Sequence, residues 1–444
     1  MTLKERYLLS DFCRIFNFRT EVHRGRTYLL ICQILAHIAN ALTTGALYTA
    51  FLAENGIDIV RVGIISFIPY ISWTLSVFSP MIMARFKKRQ IILMINDVIY
   101  YGCLILATTI MPLFVEDPAA KTIWFAVLLF IGNASNALLG SGYTTWHLRF
   151  IPEGRDLNAY VAYNNVFSQV LNCLTSIVAS VAATALAANA HQMTFLFWLR
   201  IGAFLLFMIG SSLIYLCQRE VPTKVVTTHV SPLHLITEPV RHKPFLMVAL
   251  ITILWNICCG INSNTYNYYM LETVGAPMAV LYVGSVASML GGLFLTRPFR
   301  RIVDRTSPYF MVALFTLLFA LLEFPYMFVD EQGVPLYCVL AALSGLLGVG
   351  FSMGFNSFFY LHLPEDSNKD LFSTFWNLVS NLALLLGSAG GTWILAAMET
   401  HGSYLILGRS FYPSQLLILV KVACFLVTFL FTRRVTPYLL RCRK

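Results

Sequence analysis

Four charged side chains, Asp97, Arg200, Glu323 and Lys421, sit inside long apolar runs of this 444-residue chain, and His37 joins them as a titratable group. A charge in an apolar segment is costly to keep, so each is a candidate for a proton relay, an ion pair or a ligand contact. His37 is the best single candidate for proton coupling, because imidazole exchanges its proton near neutral pH. Uncharged polar groups recur at helical spacing around it. His37, Asn40, Thr44 and Tyr48 form one stripe, and Asn133, Asn136, Gly140, Thr144 and His147 a second. Asn256, Cys259, Ser263 and Tyr266 form a third, and Gly345, Gly348, Ser352 and Asn356 a fourth. This spacing puts the members of a stripe on one helix face. Such a face can hydrogen-bond a neutral polar solute. It can equally join two helices, at about 0.6 kcal/mol per interhelical bond.

A second layer of polar and aromatic groups is offered by Tyr70, Trp73, Tyr163, Asn165, Tyr282, Trp376, Asn377 and Asn381. Rings beside amides suit stacking and hydrogen bonding of a sugar or nucleoside, and core packing explains the rings as well. Glu323 and Lys421 fall in the same half of their runs and are expected to pair as a structural element. Asp97 lies about seven residues from the end of its run nearest Arg85. The only cluster of enzyme type is His147, Glu153, Arg155 and Asp156, with no nucleophile or metal spacing beside it. A polytopic membrane enzyme is therefore a remote alternative. No Cys-x-x-Cys pair occurs, and most of the ten cysteines lie in apolar runs as small fillers, so no metal or cofactor is expected.

The elements that must position these residues are membrane helices. The chain is 58% hydrophobic and 12% charged, against about 25% charged for a soluble domain. About twelve apolar runs have the ~20 residues needed to span a bilayer. They are expected at 27–53, 59–83, 90–114, 122–149, 157–188 and 194–217, then 244–272, 277–298, 308–329, 334–362, 369–398 and 413–434. Residues 1–26 read as a basic leader, 218–243 as the linker between two halves, and 435–444 as a basic tail.

The halves repeat. WHLRFIPEGRDLNAYVAYNN at 146–165 matches FFYLHLPEDSNKDLFSTFWN at 358–377, with Pro152 and Pro364 each 13 residues before Asn165 and Asn377. Gly56 matches Gly275, and Arg85 matches Arg305, at similar offsets. If the N-terminus is cytoplasmic, 26 of the 31 Lys and Arg fall on that side, and only Arg61, Lys121 and Arg409 on the other. This asymmetry places both termini in the cytoplasm. It also accounts for the net charge of +10 without a nucleic-acid surface.

The loop after the second run reads Pro80-Met-Ile-Met-Ala84-Arg85-Phe86-Lys87-Lys88-Arg89, and the second half carries Arg300-Arg301-Ile302-Val303-Asp304-Arg305. With twelve runs in two halves, this resembles the major facilitator superfamily, whose loop reads Gly-x-x-x-Asp-Arg-x-Gly-Arg-Arg. The glycines and the first acid are missing here, so no subfamily is named. The resemblance implies an all-α integral membrane fold of two six-helix bundles, 27–217 and 244–434, related by pseudo-two-fold symmetry. It implies a secondary transporter working by alternating access. In that family the first, fourth, seventh and tenth helices line the cavity. The implied binding residues are His37, Asn40, Thr44, Asn136, Thr144, Asn256, Ser263, Tyr266, Ser352 and Asn356, backed by Tyr163, Asn165, Trp376 and Asn377. Arg85, Arg89, Asp304 and Arg305 become gate-loop residues, and His37 and Asp97 coupling candidates. A cavity without fixed charge suits a small neutral solute. The alternative is a multidrug exporter, disfavoured because the fifth run, from Ser168 to Ala182, lacks the Gly and Pro of the exporter motif. The expected partners are a small-molecule solute and the bilayer of the plasma or inner membrane, around a monomer.

Overall fold

The computed structural model describes residues 12–83, 85–86, 88–147, 150–151, 155–187, 191–218, 232–362, 369–400, 402–406 and 409–442. The loops 152–154 and 363–368, at the heart of the repeated motif, lie outside them. Nearly every described element is a helix. Ten helices are long and apolar enough to cross a membrane, a bent pair makes eleven, and Met278–Gly292 is a shorter apolar helix. With it the count reaches the expected twelve.

The first span is α1 (Glu21–Thr43) and α2 (Gly45–Glu54), bent by 42° at Thr44. One continuous helix was expected there. Gly45 takes a positive φ of 64°, which breaks the helical ladder. The start is earlier than position 27 because Thr20 caps it, accepting from the His23 amide at 3.2 Å. Next come α3 (Ile59–Trp73), capped by Asp58, and α4 (Gln90–Tyr101), which continues through a wide turn to residue 113. They are followed by α5 (Pro118–His147), α6 (Arg155–Ala187) and α7 (Gln192–Leu216). The linker is partly helical, as α8 (Pro232–Arg241).

The seventh span is not continuous either. It comprises α9 (Lys243–Gly260) and α10 (Ser263–Tyr268), interrupted at Ile261–Asn262. Then come α11 (Val283–Phe294), α12 (Thr296–Arg305), α13 (Pro308–Glu323), α14 (Val334–Leu361), α15 (Lys369–Glu399) and α16 (Pro413–Cys442). A small antiparallel hairpin, β1 (Tyr404–Ile406) with β2 (Arg409–Phe411), joins the last two helices and was not expected. The last helix carries much of the expected basic tail. One matched pair of the repeat shares a backbone conformation. Gly56 and Gly275 both take positive φ, 76° and 68°, where each closes its span.

The chain forms two compact units. One holds Met1–Leu47 and Phe78–His229, the other Tyr48–Val77 and Val230–Lys444. The third helix is thus packed among the later ones, although it precedes the linker. In the first unit, Leu29, Met83, Leu93, Trp146, Ile214 and Tyr215 form a buried cluster. In the second, small residues let helices approach closely, as membrane helices do where apolar burial gives no driving force. A Cβ on Gly387 or Gly391 of α15 would collide with the carbonyl of Ile257 or Ile261, and one on Gly345 of α14 with that of Gly284.

Candidate functional site

Unit one holds the first ionisable group. Asp97 on α4 is buried, and its two oxygens accept from the Tyr143 hydroxyl of α5 and, at 2.7 Å, from Ser211 of α7. Asn96 donates to the same Tyr143 oxygen at 2.8 Å and accepts from Ser135. This network ties three helices together, and none of these partners lies in the Arg85 loop. Arg200 on α7 is 2% exposed. Its guanidinium donates at 2.8 Å to the hydroxyls of Thr108 and Thr109 and at 3.2 Å to the Leu104 carbonyl. That carbonyl lies in the wide turn at Gly102–Ala107 and also accepts from the Thr108 hydroxyl at 2.6 Å.

His37 on α1 is half-buried, with Nδ1 3.3 Å from the Ser168 hydroxyl of α6. One and two turns nearer the N-terminus, α1 and α6 are covered by aromatic rings. Phe12 packs edge-on against Tyr163 at 5.3 Å, and Phe16 lies 5.7 Å from Tyr160. The leader is therefore tied down at residues 12–17, by these rings and by Arg26 and Thr27, which donate to the carbonyls of Ile15 and Asn17.

The polar stripes divide. Asn40, Thr44, Ser352 and Asn377 are exposed, and Asn136, Asn256 and Trp376 are half-buried. Asn133 is spent on its own helix, donating to the Leu129 carbonyl at 2.8 Å. Gly345 packs against Gly284 and belongs to a helix contact. The side chains of Thr144, Asn165, Ser263, Asn356 and Asp304 lie outside the described residues. Arg85 and Arg305 are exposed. Arg89 is buried, and its guanidinium meets the Phe86 and Met83 carbonyls at 3.4 Å; burial lowers its pKa from the ordinary value.

In unit two, Glu323 of α13 and Lys421 of α16 do meet, at 2.7 Å. Tyr266 is buried beside them and donates to the Tyr326 carbonyl at 3.0 Å. Together with Asn262, Tyr326 and Tyr337 they line a cavity of about 160 Å³. It opens next to the break at Ile261–Asn262, consistent with irregular backbone being tolerated at membrane depth only beside a cavity or within protein. The polar stripes did not point to Asn262, Tyr326 or Tyr337. One signal was present: Tyr326 follows Glu323 by three residues, on the same helical face.

The family model of the major facilitator superfamily matches residues 29–388. The chain belongs to the major facilitator superfamily. It is accordingly a multi-pass membrane transporter of a solute and not an enzyme. Among curated proteins, none matches it. Solved transporter structures are similar in fold. A bacterial homologue of the iron transporter ferroportin, in an inward-facing state, has a TM-score of 0.70 at 14% identity, over 93% of this chain and 98% of that one. The nucleoside transporter NupG has 0.66 at 14%, over 93% and 99%. A POT family transporter in complex with 5-aminolevulinic acid has 0.63 at 13%, over 93% and 97%. At such identities the likeness establishes the fold and no substrate.

Proposed function

We propose that this facilitator moves a small neutral polar solute, of sugar or nucleoside class, by alternating access. One observation carries the reading. In the interior of the spans, the polar groups left exposed are the amides of Asn40 and Asn377 and the Ser352 hydroxyl, itself donating to the Val349 carbonyl, whereas Asp97, Arg200, Glu323 and Lys421 are engaged with other side chains and the exposed Glu272 lies at the end of its span. Exposed amides are expensive against lipid, so they belong on an aqueous path. Thr44 and Asn136 add to the polar groups of the first unit and Asn256 to those of the second, and Tyr163 and Trp376 each offer a ring for stacking. A path with hydrogen-bonding capacity and no fixed charge favours a neutral solute over a phosphate ester or a strong cation.

His37 is the coupling group in this reading, its ring held by Ser168. Both termini face the cytoplasm of a plasma or inner membrane, and Arg85, Arg89 and Arg305 lie at the cytoplasmic gate. The test is thermal stabilisation of the purified protein by sugars, nucleosides and lipophilic cations at two pH values. A ligand that binds the folded state raises its Tm. A shift with a sugar or nucleoside, weakened about tenfold by Asn40→Ala or Asn256→Ala, is expected. A shift with lipophilic cations alone would replace this reading with the exporter.

A further inference from the structure

The cavity at the Glu323–Lys421 pair is distinct from that solute path, sharing only Tyr266 with the residues assigned to it. It lies within the second unit, lined from α10, α13, α14 and α16 and by Asn262 at the break before α10. Its volume of about 160 Å³ compares with the roughly 150 Å³ engineered cavity that takes a benzene molecule. The site therefore has room for about six non-hydrogen atoms.

Hydrogen-bonding capacity inside it is incomplete among the described residues. Lys421 has three N–H donors; one is bonded to Glu323 Oε1, and the ammonium lies 5.9 Å over the Phe425 ring. The second oxygen of Glu323, Oε2, accepts from no described residue, and the hydroxyls of Tyr326 and Tyr337 donate to none. Tyr337 is 7% exposed and lines the cavity. The Glu323 and Lys421 side chains keep 14% and 17% of their surface, enough to be reached. Three tyrosine rings close one wall, with Tyr326 5.8 Å from Tyr266 and 5.7 Å from Tyr337.

The charges decide which ligand fits. The pair is already neutral as a whole, so a lone anion or cation would bring an uncompensated charge into a low-dielectric site. A small sugar brings no charged group to the spare N–H donors of Lys421 or to the second oxygen of Glu323. A molecule with one positive and one negative end brings no net charge and meets both. Its carboxylate would take the spare Lys421 N–H groups and the Tyr326 and Tyr337 hydroxyls, in charge-assisted hydrogen bonds. Its ammonium would take Glu323 Oε2 and the face of a tyrosine ring.

We infer that this cavity is a second binding site, for a small zwitterion of the amino-acid type. The ion pair serves as its recognition element, and the broken seventh span gives it room.

The test uses the full-length protein in detergent, with glycine, alanine, acetate, methylammonium and a neutral sugar as probes. Glycine or alanine should raise the Tm in a concentration-dependent way, and acetate and methylammonium at equal concentration should not. Tyr337→Phe removes one hydroxyl and leaves the ring, and should weaken the zwitterion about tenfold. Glu323→Gln should abolish the effect; should that variant fail to fold, Tyr326→Phe in its place should weaken binding as Tyr337→Phe does. The same Tyr337→Phe protein should keep wild-type response to any sugar or nucleoside, which separates this site from the solute path. Two outcomes overturn the inference: no zwitterion shifts the wild-type protein, as when only water fills the cavity, or Asn40→Ala removes the shift while Tyr337→Phe leaves it intact.

Discussion

At the scale of single residues, the buried charges of this transporter are held in two different ways. Asp97 is satisfied by neutral donors, Tyr143 and Ser211. Removing one donor leaves a carboxylate short of a hydrogen bond, which costs about 1–3 kcal/mol. Tyr143→Phe should therefore lower the Tm of the detergent-solubilised protein by several degrees; an unchanged Tm would mean the network contributes nothing to stability. Glu323 and Lys421 neutralise each other's charge, through one hydrogen bond. Breaking a buried pair from one side is more damaging than removing both charges, at about 3–5 kcal/mol. Lys421→Met should be strongly destabilising, and Lys421→Met with Glu323→Gln should recover most of the loss. Equal, additive losses in that cycle would show that the two groups are not coupled.

At the scale of elements, contact between the broken seventh span and α15 is set by backbone approach. Gly391 and Gly390 are neighbours on α15 with opposite surroundings. A Cβ on Gly391 would collide with the Ile261 carbonyl, and one on Gly390 meets nothing within 4 Å. Gly391→Ala should cost about 1–3 kcal/mol, because the helices must move apart. Gly390→Ala should be neutral or stabilising, by up to about 1 kcal/mol of helix propensity. Comparable Tm values for the two variants would contradict this packing. The first span has its own break at Gly45, whose φ of 64° an alanine adopts at a cost of roughly 1–2 kcal/mol.

At the scale of the whole molecule, the untested property with the most consequence is orientation. Cys13 and Cys217 are exposed, and the Lys/Arg asymmetry puts both on the cytoplasmic side. A membrane-impermeant maleimide should label them in inverted vesicles and not in right-side-out ones. Labelling from the opposite face would invert the topology, and with it the side of the membrane that the Glu323–Lys421 cavity lies nearer. Gly56 and Gly275 both end their spans in the left-handed conformation with which helices commonly close.

What the sequence determined by itself was whatever depends on local composition and period. Twelve apolar runs gave the spans and their number, because the bilayer fixes the length of a helix that crosses it. The pairing of Glu323 with Lys421 followed from their common depth, and two glycines marked the turns that close their spans. Only the tertiary structure decided which polar face does what. Asn133 and Asn136 share a stripe, yet one amide is consumed by its own helix and the other stays half-buried. Gly345 and Ser352 share another, yet one is a helix contact and the other is exposed. The period of a stripe names a face but not the neighbour it meets. The cavity beside the ion pair was hidden for the same reason. Its walls come from four separated helices, and no spacing along one chain records how their side chains converge.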